Sequence, residues 1–189
     1  MGAQQLVVRQ RLDSDLDALS TVLRTVHALD GYPVEGVSDP LGWLVSSRML
    51  GAWVSVADCG PVGHVMLTTP SHADAAVTIM LDRLGGSADD VAVLERLFVA
   101  PEHRGRHAAR QLIAAAMAFA DAQGRRAVLE VMDKDRAAIR LYEALGWRSM
   151  GPLRHVHSGG RSEPGAAYVA PARPHGGESQ YGGLEGDAR

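Results

Sequence analysis

One cysteine, Cys59, and one lysine, Lys134, stand in a chain of 189 residues. A single cysteine excludes an intramolecular disulfide and a cysteine-built zinc cluster. A reducing, cytoplasmic compartment is then the default expectation. No run of about 18 apolar residues occurs, so no membrane-spanning helix is expected. Met1–Arg9 lacks the charged-then-apolar order of a signal peptide. Positive charge is not in surplus either: the formal net charge is -3. Nonspecific nucleic-acid binding needs a basic footprint, so that function class is disfavoured. Internal repeats are absent.

What is present fits one folded domain. Hydrophobic residues make up 46% of the chain, enough for a substantial core. Residues 1–170 read as that domain. From Pro171 the chain turns rich in Pro, Gly and polar residues, and 171–189 reads as a disordered tail. Nearly all the positive charge is arginine, which suits phosphate clamps.

Leu6–Gln10 reads as a first strand. Asp13 or Ser14 is expected to cap a helix with a Leu16, Leu19, Leu23, Val26 stripe, ended by Asp30-Gly31. Asp39-Pro40 opens a short helix expected to reach Arg48. Residues 52–57 and 62–69 form a hairpin about Asp58-Cys59-Gly60-Pro61. His64, within it, is expected to pack in the sheet. Residues 70–90 read as loop around one or two helical turns at Val77, Met80, Leu81 and Leu84. Such a segment is either a surface insertion or functional.

The chain is organised around Leu97 to Leu112. Leu97-Phe98-Val99 ends a strand that starts at Val91, and Pro101 stops it. Arg104-Gly105-Arg106 opens a helix with apolar residues at Ala109, Leu112, Ala116, Phe119 and Ala120. A glycine-containing turn feeding a helix N-terminus presents N–H groups to an anion. By alternation along the strand, Val93, Glu95, Leu97 and Val99 share one face. Glu95 is then a carboxylate on an apolar face, either paired with an arginine or held at a cleft as a base.

Ala127–Met132 is a nearly continuous apolar run that suits a central strand. Glu130 interrupts it and is a second candidate carboxylate. Asp135 caps the next helix, whose Ala138, Leu141, Tyr142 and Leu145 lie on one face. Trp147–Val156 and Ala166–Val169 read as the last strands, joined by Ser158-Gly159-Gly160. His155 and His157 share a strand face, but no third metal ligand accompanies them.

Two segments stand together: Val99-x-Pro101-x-x-Arg104-Gly105-x-x-x-Ala109, and Asp135-x-x-Ala138-x-x-Leu141-Tyr142-x-x-x-Gly146-Trp147. Together they resemble the GNAT family of acetyl-CoA-dependent N-acetyltransferases, over about residues 5–170. The resemblance implies an α/β fold with a mixed, mostly antiparallel sheet whose central strands splay apart. It implies acetyl-CoA as acetyl donor, an amine acceptor (a small molecule or a peptide), direct attack in a ternary complex, and no membrane or nucleic-acid partner. A homodimer is common for the fold.

The resemblance also implies residue roles. Backbone groups around Arg104, Gly105, Arg106, His107, Ala108, Ala109 and Arg110 cradle the pyrophosphate. Leu97, Phe98 and Val99 serve the pantetheine arm and acetyl group, with the Val99 N–H facing the oxyanion. Tyr142 donates to the leaving thiolate. Glu95 is the first choice for the base and Glu130 the second. Residues 27–48 and 70–90 would build the acceptor side, with Tyr32, Trp43 and His72 as contacts.

Two positions depart from the family pattern. His107 stands where glycine is usual, and in a positive-φ turn it costs about 1–2 kcal/mol more. Asp135 replaces an asparagine and is expected to serve helix capping. These departures motivate a rival reading, an acyl-CoA-binding module of the same fold with little catalysis. A tRNA-acetylating toxin is disfavoured by the net charge of -3.

Overall fold

The computed structural model describes residues 6–156 and 160–172. Seven strands form one sheet in the order β1-β2-β3-β4-β5-β7-β6. They are β1 (Val7–Gln10), β2 (Met49–Ala57), β3 (Gly60–Thr68), β4 (Val91–Val99), β5 (Arg126–Met132), β6 (Arg148–Val156) and β7 (Ser162–Val169). Only β4 and β5 are parallel; every other neighbouring pair is antiparallel. The helices are α1 (Leu16–Asp30), α2 (Pro40–Leu44), α3 (Ala75–Leu84), α4 (Ala108–Ala122) and α5 (Arg136–Ala144). This is the mixed, mostly antiparallel α/β architecture expected. Among the described residues no helix is long and apolar enough to cross a membrane.

Alternation along the strands sorts the core into two faces. Trp53, Val65, Leu67, Ala92, Leu94, Leu129 and Val131 pack under α4 and α5. On the other face, Val54 and Phe98 meet α1 and α2, while Val93, Val128 and Val169 meet α3. Each fully buried Val or Leu on these faces contributes about 1.5–3 kcal/mol.

Several local signals act as expected. Gly31 ends α1 at φ 64, its N–H on the His27 carbonyl, a left-handed cap that glycine adopts freely. The Asp39 carboxylate accepts from the Gly42 N–H at 2.9 Å, with Pro40 first in α2.

Others do not. Neither Asp13 nor Ser14 caps α1; both lie in a 3-10 turn that precedes it. There the buried Asp15 carboxylate accepts from the Leu12 N–H at 2.8 Å and from both Arg9 terminal nitrogens at 2.7 Å. The Arg9 bonds hold the Asp15 carboxyl below the usual range. Helix α2 stops at Leu44 rather than Arg48, because Val45 is extended and the chain must turn to start β2 at Met49.

Residues 70–90 hold more helix than expected. Ala75–Leu84 is a full helix of ten residues rather than one or two turns, and it buries Ala76, Val77 and Met80 against Met150 and Leu153 of β6. Its capping group is remote in sequence. Asp74, at the N-cap, bonds Ser71 N–H and Arg48 instead, and Glu130 Oε1 of β5 accepts from the Ala76 N–H at 3.1 Å. The expected 171–189 tail lies outside the described residues from 173 onward. Pro171 packs within 3.8 Å of the position a Cβ on Gly146 would take.

Candidate active site

Strands β4 and β5 pair only over Val91–Val93 and Arg126–Val128. Beyond Val93, β4 stays on β3 while β5 runs with β7 from Val128 to Met132. The two central strands part, and a gap opens between them, as expected.

A bulge at Arg96 sets the side chains along this gap. Arg96 has φ 58, and opposite it the register slips: His64 faces Phe98 while Met66 faces Glu95. Arg96 and Leu97 therefore share one opposing residue, which reverses the alternation. Glu95 thus does not share a face with Leu97 and Val99. Leu97 and Val99 pack on the α4 and α5 face, and Glu95 keeps to the Val93 face.

The bulge is pinned by a side chain. His64, fully buried, donates from Nδ1 to the Arg96 carbonyl at 2.9 Å. Its Nε2 then accepts from Arg11 Nη1 at 3.1 Å, and the ring stacks on Phe98. Burial pushes the His64 imidazole down to about 3, so it stays neutral and keeps both roles. His64 does pack in the sheet, and it also supports the bulge.

The gap opens into a cavity of about 560 Å³ lined by Leu94–Phe98, Glu130–Met132, by Val26, Asp30 and Tyr32 at the end of α1, and by Asp135, Ala138 and Tyr142 at α5. Tyr142 is buried there with its ring on Trp147. Burial raises its phenol above the ordinary range, with Asp135 adding to the shift. Asp135 occupies the N-cap position of α5 but its side chain makes no cap bond. The carboxylate pairs with Lys134 at 2.8 Å instead, so the expected capping role is corrected.

The turn before α4 runs from Arg104 to His107. Gly105 has φ 73 and His107 has φ 63, so the position read as a departure is indeed left-handed. The helix starts at Ala108, later than expected, and its first internal bond is Gln111 N–H to His107 O. The N–H groups of Ala108, Ala109 and Arg110 precede that ladder, and no side chain caps them. Uncapped N–H groups at a helix start are the kind of donors that an anion meets. The charged side chains around the turn have other partners or lie at the surface. Arg104 donates from Nε to the Val99 carbonyl at 3.1 Å and pairs with Asp30. Arg110 lines a different groove, on the far side of α4. Arg106 is exposed.

The Ala100 N–H donates to Val62 O of β3 at 2.7 Å. Alternation along the strand turns the Val99 N–H the other way, into the gap.

A second cavity, of about 290 Å³, opens beneath α2 and the start of α3. It shares Tyr32, Leu94, Glu95, Arg96, Glu130 and Met132 with the first. Trp43 also lines it, with Tyr32 edge-on at 5.8 Å and the Arg96 guanidinium 5.4 Å over its ring. His72 is exposed and lies outside this lining.

The two carboxylates differ. Glu95 Oε1 is buried with no hydrogen-bond partner among the described residues. Arg96 Nε lies 3.3 Å away, close enough for charge attraction but misaligned for a bond. Burial raises the Glu95 carboxyl above its ordinary value, against the pull of Arg96 and Arg48. Glu130 is committed on both oxygens: Oε1 to Ala76 N–H and Oε2 to His155 Nδ1 at 2.8 Å. His155 Nε2 in turn meets Glu35 at 3.2 Å. Two carboxylates raise the His155 imidazole to about 10. His155 is thus an ion-pair centre. His157 lies outside the described residues, and no metal-holding group of three is found among the described residues.

Glu35 and Asp74 fall in the ranges expected on the acceptor side without being singled out there, and His155 is not expected among these walls. Asp74 lies in the segment read as loop, and Glu35 and His155 meet across 120 positions.

A family profile for the acetyltransferase (GNAT) family matches residues 23–147. No curated protein sequence matches the chain. Among solved structures, the ribosomal-protein-S18-alanine N-acetyltransferase from Escherichia coli superposes with a TM-score of 0.66 at 18% identity, over 94% of this chain and 99% of that one. Arabidopsis thaliana NAA60 in complex with acetyl-CoA gives 0.67 at 19%, over 87% and 97%. An N-acetyltransferase from Staphylococcus aureus Mu50 gives 0.64 at 17%, over 87% and 97%. At these identities the structural likenesses speak for the fold, and the profile speaks for the family. The profile covers well over half of the chain and both motif segments, and on that ground the chain belongs to the GNAT acetyltransferase family.

Proposed function

We propose that this protein transfers the acetyl group of acetyl-CoA to an amine by direct attack in a ternary complex. The observation that carries the reading is the parting of β4 and β5, which opens a gap bordered by two adjoining cavities. Donor and acceptor can then reach one point, each from its own cavity, which is the proximity a two-substrate transfer needs. Residues 1–170 make up the catalytic unit.

The residues fit an acetyl-CoA donor. The uncapped N–H groups of Ala108–Arg110 and the open turn at Gly105 suit its pyrophosphate. Here the arginine side chains contribute little, and the backbone carries the recognition. Leu97, Phe98 and Val99 run along the gap where the pantetheine arm would lie. The Val99 N–H donates to the carbonyl oxygen as negative charge develops on it.

Glu95 is the base. Its orphaned Oε1 and burial-raised carboxyl suit proton uptake near neutral pH. Glu130, bonded on both oxygens, holds α3 and His155 in place instead. The amine nitrogen bonds to the thioester carbon and its proton passes to Glu95, directly or through water. The C–S bond breaks, and Tyr142 protonates the leaving sulfur. Burial keeps the phenol protonated until that step.

Thiol release from acetyl-CoA with a panel of amines tests the reading. Turnover with at least one amine, dependent on Glu95, is expected. Tight acetyl-CoA binding without turnover for any amine would support the non-catalytic module instead.

A further inference from the structure

The acceptor-side cavity has a charge balance that none of the family features requires. Its described lining carries four carboxylates, Glu35, Asp74, Glu95 and Glu130, against three cationic groups, Arg48, Arg96 and His155. Every cation is already paired inside the cavity. Arg48 meets Asp74 at 3.2 Å, Arg96 meets Glu95 at 3.3 Å, and His155 sits between Glu130 and Glu35. One buried carboxylate oxygen, Glu95 Oε1, lacks a hydrogen bond among the described residues.

We infer that the acceptor is a small primary amine with one positive charge and an apolar or aromatic body, and that zwitterionic amino acids are excluded. An arriving ammonium group supplies the donor that Glu95 Oε1 lacks, and releases one proton to solvent before the neutral amine attacks. A substrate carboxylate would meet no unengaged cation on these walls, and burying it unpaired is costly. The walls also include Pro33, Val93 and Met132, which suit an apolar body. The volume of about 290 Å³ equals about ten water volumes of ~30 Å³ each, enough for an amine of roughly ten heavy atoms.

This inference rests on the acetyl-transfer reading above, and a matched series separates the two. The full chain is assayed for thiol release with 2-phenylethylamine, phenylalaninamide and phenylalanine as acceptors. The last two differ in a carboxylate against a neutral amide. Both amines should exceed phenylalanine in kcat/KM by roughly 100-fold. Glu35→Gln keeps an acceptor for His155 while removing one negative charge. It should narrow the phenylalaninamide-to-phenylalanine ratio by about tenfold. Phenylalanine turning over as well as its amide overturns the inference and leaves acetyl transfer standing. So does transfer confined to peptide N-termini. Acetyl-CoA binding without thiol release for any acceptor overturns both.

Discussion

The two sides of the gap between β4 and β5 are built by different means. On the α4 and α5 side the parts are near neighbours in sequence: Leu97–Val99, the turn to Arg110, and the helix from Asp135 to Tyr142. Much of that side is backbone, with N–H groups at a helix start and a strand edge left open. On the opposite side the parts are side chains from distant segments: Glu35, Trp43, Asp74, Glu95, Glu130 and His155. The first construction tolerates replacement of most side chains provided the turn keeps its shape. The second depends on each charge having its partner. Donor recognition should therefore resist point mutation, while the acceptor side should respond sharply.

Glu95→Gln should break the comparison most strongly. It removes the base, so kcat/KM for the amine should fall about 10²–10⁴-fold. Acetyl-CoA affinity measured by calorimetry should be unchanged. A matching loss of affinity would show that the two sides are not separable. Tyr142→Phe acts from the donor side and should lower kcat about 10–100-fold, with the unfolding midpoint nearly unmoved because the ring and its contact with Trp147 remain.

Between the two sides stands the bulge, and its support is pH-sensitive. His64 has a folded pKa of about 3 against an ordinary 6.5. Between those values the unfolded chain binds a proton that the folded chain refuses. Stability should therefore fall as pH drops from 6.5 toward 3, by up to about 1.4 kcal/mol per pH unit. Urea unfolding across that range measures the slope, and His64→Gln should flatten it.

Glu130→Ala tests the acceptor-side frame. It leaves the Ala76 N–H and His155 without their carboxylate and should cost about 1–3 kcal/mol of stability in urea unfolding. Activity should fall less than in Glu95→Gln; a larger fall would make Glu130 the base. The smallest effect is expected at His107→Gly. Relief of the left-handed strain, offset by glycine's greater freedom when unfolded, should net about 0.5 kcal/mol of added stability. Acetyl-CoA affinity should stay within a few-fold, since the turn already holds φ 63 with histidine in place.

The same division explains what could be read from the sequence. Local, backbone-determined features were legible: the stop at Gly31, the Asp39-Pro40 start, the strand–turn–helix at 97–112, and the left-handed demand at His107. The splayed strands came with the family resemblance. The bulge was not legible, because Arg96 adopts φ 58 only with His64, 32 residues away, holding its carbonyl. Helix α3 read as only one or two turns, because the carboxylate at its start, Glu130, lies 54 positions downstream. Asp135 read as a cap because its position is right, yet Lys134 takes its carboxylate. In each case a side chain distant or competing in space decides the matter, and periodicity and spacing carry no record of it.

The central claim is that donor and acceptor meet through one gap, each from its own cavity. A conjugate joining the sulfur of coenzyme A to the nitrogen of 2-phenylethylamine through an acetyl bridge tests it directly by calorimetry. If the two cavities are continuous, the conjugate should bind about 10²–10⁴-fold more tightly than coenzyme A alone. Equal affinity for the two would contradict the account.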